Sequence, residues 1–235
     1  MRKVFLIGFL VLFLFTLRAE DLISTLQEKG YSHYSYRCRF SSQSLAKKYT
    51  LKASGEVLFR EGKGLVIKGT LDWGKGRKGE QVLLVNDKEF LLYNSLTRTA
   101  IRLDLIRLKQ VLGDKFAYIN PLGRYDLRNP FIMSGIVPGS IKFLKEEGED
   151  YLFQMTIYPN PELGLPRKPY TGKLWVDKEK GLLKKMELLE EGKSVYSITY
   201  TDWKVNVDIP DKEFRFSPPP DTQVKDFTSQ WLRKK

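Results

Sequence analysis

The chain has one cysteine, Cys38, and one histidine, His33, among its 235 residues. A single cysteine excludes an internal disulfide. A Ser-His-Asp triad would have to use His33, and a Cys-His pair would need both residues. The two lie in "YSHYSYRCRFSS", which reads as a strand, so positions 33 and 38 point to opposite faces. A zinc site needs several thiolate or imidazole ligands, and the sequence clusters no carboxylates that could replace them. Neither a metal nor any other cofactor is expected, and the reading is of a protein that is not an enzyme. The chain also lacks internal repeats and long linkers.

A long apolar run occurs only at the start, in "MRKVFLIGFLVLFLFTLRAE". Arg2 and Lys3 precede apolar Val4 to Leu17, and Leu17-Arg18-Ala19 offers a cleavage site. The run is short of the ~20 apolar residues that a membrane span needs, so it reads as a secretory signal peptide. No cysteine follows the site, so no lipidated N-terminus is indicated. The expectation is a signal peptide over residues 1–19 and one exported, periplasmic domain over 20–235. Its 216 residues suit a single core. Loss of Arg2, Lys3 and Arg18 lowers the net charge from +12 to +9. That balance favours anionic surfaces, but the basic residues are spread widely, as on a solvated face.

What remains is mostly strand. "DLISTLQEKG" reads as a short helix with Asp21 as cap and Gly30 as stop. "YSHYSYRCRFSSQ", "YTLKASGEVLFR", "GLVIKGTLDW", "EQVLLV", "EFLLYN" and "TAIRLDL" then come in turn, separated by Gly-rich or charged breaks. Such spacing predicts an antiparallel meander. "DLIRLKQVLG" interrupts it with a helical stripe of Leu105, Ile106, Leu108, Val111 and Leu112, capped by Asp104 and ended by Gly113. Strands resume with a hairpin turning at Glu147-Gly148-Glu149. Three more strands come after it, with Gly181 and Gly192 in their turns. "EFRFSPPPDTQV" is expected to close the sheet, and "KDFTSQWLRKK" is a basic tail.

"GTLDWGKG" nearly satisfies a phosphate-binding loop, but Gly76 stands where Ser or Thr must hold magnesium. The next residues, "RKGEQVLLV", lead into a strand and not a helix. The stretch therefore reads as a hairpin loop carrying Lys75, Arg77 and Lys78.

Several strands are apolar at successive positions, as in "LVNDKEFLLYN". A half-solvated sheet should alternate, so both faces here must be covered. Too few helical residues exist to coat both faces of a wide flat sheet. A strongly curved sheet around an apolar cavity, with short helices at its mouth, satisfies the pattern.

The order of elements resembles the periplasmic outer-membrane lipoprotein carriers of the LolA/LolB type. The likeness is carried by "GKLWVDKEKGLLKKMELLEEGKSVYSITYTDWKVNVDIPDKEFRFSPPPDTQV", with Asp177, Gly181, Gly192, Asn206, Phe214, Phe216 and Pro218 at matching positions. Asp87, Leu91, Tyr93 and Asn94 match a second hairpin. The resemblance implies a mainly β fold: a half-open antiparallel barrel with a lid of short helices over an apolar cavity. It implies a carrier that holds the acyl chains of a lipoprotein or lipid and passes them toward the outer membrane. Its partners would be an inner-membrane donor and an outer-membrane acceptor, with no nucleic acid, and it would act as a monomer. Lys68 stands nearest to an arginine that latches the lid in that family.

Strand alternation within this frame nominates Trp73, Leu83, Leu91, Tyr93, Phe153, Met155, Ile157, Trp175 and Met186 for the cavity wall. Phe131, Ile132, Met133 and Ile136 are the lid candidates. Two alternatives stand beside the carrier. One is an envelope lipid sensor or partner-binding module of the same fold. The other is a hydrolase working through the acidic pairs Glu146-Glu147 or Glu190-Glu191.

Overall fold

The computed structural model describes residues 20–46, 49–118, 125–131, 140–157 and 170–233. The alternating stretches become strands. The first six are β1 Ser35–Ala46, β2 Tyr49–Arg60, β3 Gly64–Asp72, β4 Lys78–Val85, β5 Glu89–Asn94 and β6 Thr99–Asp104. A second run comprises β7 Ser140–Glu147, β8 Asp150–Ile157, β9 Tyr170–Asp177, β10 Leu183–Glu190 and β11 Lys193–Val205. The short β12 spans Gln223–Asp226. All belong to one sheet ordered β12-β6-β5-β4-β3-β2-β1-β11-β10-β9-β8-β7. It is two antiparallel meanders joined where β1 pairs with β11. Neither β7 nor β12 pairs across the gap among the described residues, so the sheet is unclosed.

The sheet is rolled. Leu92 on β5 and Met186 on β10 are six strand intervals apart, roughly 29 Å in a flat sheet, yet both line one cavity. Gly55 faces Gly69 on the inner side of the β2–β3 pair. A Cβ on Gly55 would stand 2.0 Å from the carbonyl oxygen of Lys68, so only glycine permits this close backbone approach.

The turns follow their residues. Gly148, Gly181 and Gly192 all take positive φ, at 59°, 66° and 79°. Asp177 Oδ1 accepts from the backbone N–H groups of Glu179 (3.0 Å) and Lys180 (2.8 Å), shaping the β9–β10 turn. Gly69 to Asp72 lie in β3 and β4 comes after the turn, so the near phosphate motif is a hairpin, as its sequel indicated.

Among the described residues, α1 spans 20–31, α2 Leu105–Leu112 and α3 Thr228–Arg233. Asp21 is not the cap of α1, because residue 20 is already helical; its carbonyl accepts from Thr25 Oγ1 at 2.8 Å. Gly30 does not stop the helix. It is small because a Cβ there would meet the Arg128 carbonyl at 2.1 Å. Asp104 caps α2 by accepting from the Arg107 N–H at 2.9 Å, and Gly113 ends it with φ 53°. Leu105 and Leu108 are buried, whereas Ile106 and Val111 of the expected stripe face outward.

The expected closure by "EFRFSPPPDTQV" is corrected. Only Gln223–Asp226 joins the sheet, pairing parallel with β6. Before it, residues 207–216 cross the outer face as a strap. Val207, Ile209, Phe214 and Phe216 pack there on Leu58, Val66, Val82, Leu84, Leu91, Tyr93 and Ala100. This strap is the second apolar contact that the two-sided strands required. Arg60 ties it down by donating to the Ile209 carbonyl (2.5 Å) and pairing with Asp211, which Lys63 also contacts at 2.6 Å. Lys68 points to this outer face and bonds Glu213 at 3.0 Å, so it secures the strap and not a lid. The tail residues Phe227 and Leu232 pack on the cluster under α2.

Candidate functional site

The inner face carries two packed regions with a space between them. In one, α1 and Phe131 close over β1, β2 and β8–β11, around Leu26, Tyr36, Phe59, Phe153, Met155 and Leu174. In the other, α2 and the tail cover Leu83, Val85 and Leu103. Ile67 and Tyr125 touch both regions.

They also line a cavity of about 350 Å³. Pairing explains its wall. Phe40, Ser42 and Ser44 on β1 stand opposite Tyr200, Ile198 and Tyr196 on β11. On their other side they face Gly55, Ala53 and Leu51 on β2. Gly69 and Leu71 on β3, Gln81 and Leu83 on β4, Phe90 and Leu92 on β5 and Met186 on β10 complete the ring. Among the described residues none of the lining side chains is charged. The polar ones are hydroxyls and one amide. Burial pushes the Tyr196 hydroxyl above its ordinary pKa, partly offset by a hydrogen bond with Ser42. Burial pushes Tyr200 well above that value, with Tyr196 and Cys38 adding to the shift. The described part of the wall is therefore uncharged at physiological pH.

Of the nominated wall residues, Leu83 and Met186 line this space. Phe153 and Met155 face inward but are buried in the packed region under α1. Leu91 and Tyr93 do not line it: β5 turns Phe90 and Leu92 inward, and its odd positions meet the strap. Trp175 lies on the outer face, donating its indole N–H to Glu147 at 3.4 Å under the Lys185 ammonium. Trp73 sits at the β3–β4 turn, 37% exposed. Ile157 pairs with Tyr170 through its backbone, and its side chain lies outside the described residues. Among the lid candidates, Phe131 is buried edge-to-face on Phe153 with ring centroids 5.1 Å apart. Ile132, Met133 and Ile136 lie outside the described residues.

Sequence reasoning missed Phe40, Ile67, Leu92, Tyr196 and Ile198. Alternation was visible in each strand, but two-sided strands such as "EFLLYN" do not say which set faces inward.

The segment 125–131 roofs the inner face near α1. Arg128 holds it with the fork of its guanidinium on Asp126, the shortest contact being 2.8 Å. It also donates to the His33 carbonyl at 3.2 Å and lies 4.1 Å over the Phe59 ring. Tyr36 accepts from the Leu127 N–H at 3.1 Å.

The catalytic alternatives find no constellation among the described residues. His33 precedes β1, in contact with the Lys180 carbonyl at 3.2 Å, while Cys38 is buried on the inner wall. Glu146 pairs with Lys178 at 2.7 Å. Lys145, then Trp175, holds the Glu147 carboxyl below its usual range, the reverse of what a general acid needs. Among the described residues no group of His, Cys, Asp or Glu could hold a metal ion.

The buried thiol makes a pH prediction. Burial, aided by Glu56, pushes the Cys38 thiol far up. A raised folded pKa means full stability below the unfolded value and loss above it. Raising the pH from 8 to 10 should cost about 2 kcal/mol as the unfolded thiol ionises near 8.5. In urea titrations the C38A variant should lose most of this slope. Tyr36 and Tyr200, raised by burial, extend the decline above pH 10. An equally steep slope in C38A would refute the assignment.

No family model matches the chain, and no curated protein matches it. Solved structures do. A conserved, uncharacterized protein from Thermus thermophilus aligns over 89% of this chain and 99% of its own, at 12% identity and TM-score 0.51. The Pseudomonas aeruginosa MucA/MucB complex aligns over 88% of this chain and 63% of that chain, at 16% identity and TM-score 0.45. A Vibrio parahaemolyticus domain assigned to outer membrane lipoprotein sorting aligns over 84% and 97%, at 13% identity and TM-score 0.38. The chain thus shares its overall fold, a mainly β, curved and unclosed sheet, with the Thermus protein.

Proposed function

We propose that this protein is an envelope lipid carrier. It takes an acyl chain of a lipoprotein or lipid into the cavity between the two packed regions and passes it on. The uncharged, largely apolar cavity carries the reading, because the other apolar clusters among the described residues are already filled by side chains. Residues 1–19 would direct export to the periplasm, where a membrane donor loads the chain and an outer-membrane acceptor receives it. Each buried CH₂ contributes about 0.8 kcal/mol, so a dozen give roughly 10 kcal/mol. The entropy of association, about 4–15 kcal/mol, offsets much of this and keeps release within reach of an acceptor. No covalent chemistry is needed.

Displacement of a bound apolar dye tests the reading. Wild-type protein should bind one dye molecule and release it to a lipid. The Met186→Gln variant should bind at least tenfold more weakly, because an amide without a partner faces the ligand. Leu91→Gln, altered on the outer face, is the control for general destabilisation and should leave binding unchanged. If folded wild-type protein takes up neither dye nor lipid, the carrier proposal fails and a partner-binding module gains ground.

A further inference from the structure

We infer that the cavity admits a single acyl chain of about a dozen methylenes, tail first, and cannot enclose the several chains of a multiply acylated anchor. The inference rests on the carrier reading above and narrows its ligand.

The volume sets the first limit. A methylene takes roughly the volume share of a water molecule, about 30 Å³, so 350 Å³ holds roughly a dozen. Three sixteen-carbon chains would need about 1,400 Å³ on the same basis.

The surroundings set the second limit. Among the described residues, room for another chain would have to come from the packed regions on either side. Phe153, Met155 and Leu174 are at most 1% exposed on one side, and Leu105 and Leu108 at most 2% on the other. Close-packed interiors do not yield such volume without losing their contacts.

The lining sets the polarity. Ser42, Ser44, Gln81 and Tyr196 offer hydrogen bonds but no charge. They suit the ester and glycerol hydroxyl of a monoacyl lipid whose charged headgroup stays in water. The wall also supplies two rulers. Ala53 leaves space that a larger side chain would fill, and Phe40 fills space that a smaller one would free.

Dye displacement from the full mature chain tests this with three probes: lysophosphatidylglycerols of 8 to 18 carbons, dipalmitoyl phosphatidylglycerol and a tripalmitoylated cysteinyl peptide. All are presented below their aggregation concentrations. The lyso-lipids should bind best near 12–14 carbons, and the two- and three-chain probes at least tenfold more weakly. Ala53→Leu should move the optimum down by two to four carbons, and Phe40→Ala should move it up. Either variant alone suffices should the other fail to fold. Equal or tighter binding of the tripalmitoylated peptide overturns the single-chain inference and leaves the carrier reading standing. A length preference that neither folded variant shifts also overturns it. Failure of every probe to bind defeats the carrier reading as well.

Discussion

Replacing Arg128 by methionine should lower the stability of the protein by about 3–5 kcal/mol, the usual result of stripping one partner from a buried ion pair. The side chains of Arg128 and Asp126 are only 12% and 8% exposed. The pair is bidentate, Nε donating to Oδ1 and Nη2 to Oδ2, so the substitution removes two parallel bonds and leaves a carboxylate away from water. It also removes the bond to the His33 carbonyl and the stacking over Phe59. Methionine retains much of the apolar stem, so packing loss alone would be small. The double variant Asp126→Asn/Arg128→Met should recover more than half of the deficit, since no unpaired charge remains. Urea denaturation of wild type, the two single variants and the double variant gives the coupling directly. A deficit under about 1 kcal/mol in the Arg128→Met variant would show that the pair is solvated. The same segment carries Tyr125 into the cavity wall, so Arg128→Met should also weaken dye binding. Arg128 thus holds the 125–131 segment over the inner face, whereas Lys68 bonds the strap on the outer one.

Phe214→Ala should cost a comparable amount, about 3–5 kcal/mol, for a different reason. Phe214 is 6% exposed and fills the centre of the outer cluster between the strap and strands β2 to β6. Deleting the ring removes apolar burial and leaves a hole that the sheet cannot collapse into. Arg60 would also lose the ring beneath its guanidinium, 5.4 Å from the centroid. Because the strap and the cavity lie on opposite faces of the sheet, lipid and dye affinity should change little while the protein stays folded. Lys68→Ala should cost under about 1 kcal/mol, since its pair with Glu213 is partly in solvent. The electrostatic part of the strap has a pH signature. Lys63, then Arg60, holds the Asp211 carboxyl below its usual range, and Lys68 does the same for Glu213. Their contribution is complete above the unfolded values near pH 4 and is lost as pH falls through the lower folded ones. Thermal melts of F214A and wild type, run with and without ligand, would separate the two faces. A large loss of ligand affinity in folded F214A would break the assignment of the strap to structure alone.

The local features follow directly from the residues that form them. Glycines at 148, 181 and 192 mark turns because those backbones need positive φ. Asp104 and Gly113 bound α2 because an orphan N–H needs an acceptor and a left-handed residue ends a helix. Alternating strands in unbroken succession gave the two meanders, since short breaks favour antiparallel neighbours. The scarcity of cysteine and histidine had already removed most covalent chemistry. Long-range packing instead sets which side of each two-sided strand faces inward. Leu91 and Leu92 are equally apolar, and only the strap, arriving from far along the chain, assigns Leu91 outward and Leu92 to the cavity. The same holds for Trp175, whose indole would suit a lipid pocket but lies beside Lys185 on the convex side. Rolling of the sheet, which brings Leu92 and Met186 to one wall, then fixed the cavity's place. Period-two patterning specifies faces only up to an exchange of inside and outside, and the long-range contacts that break the tie leave no local mark in the chain.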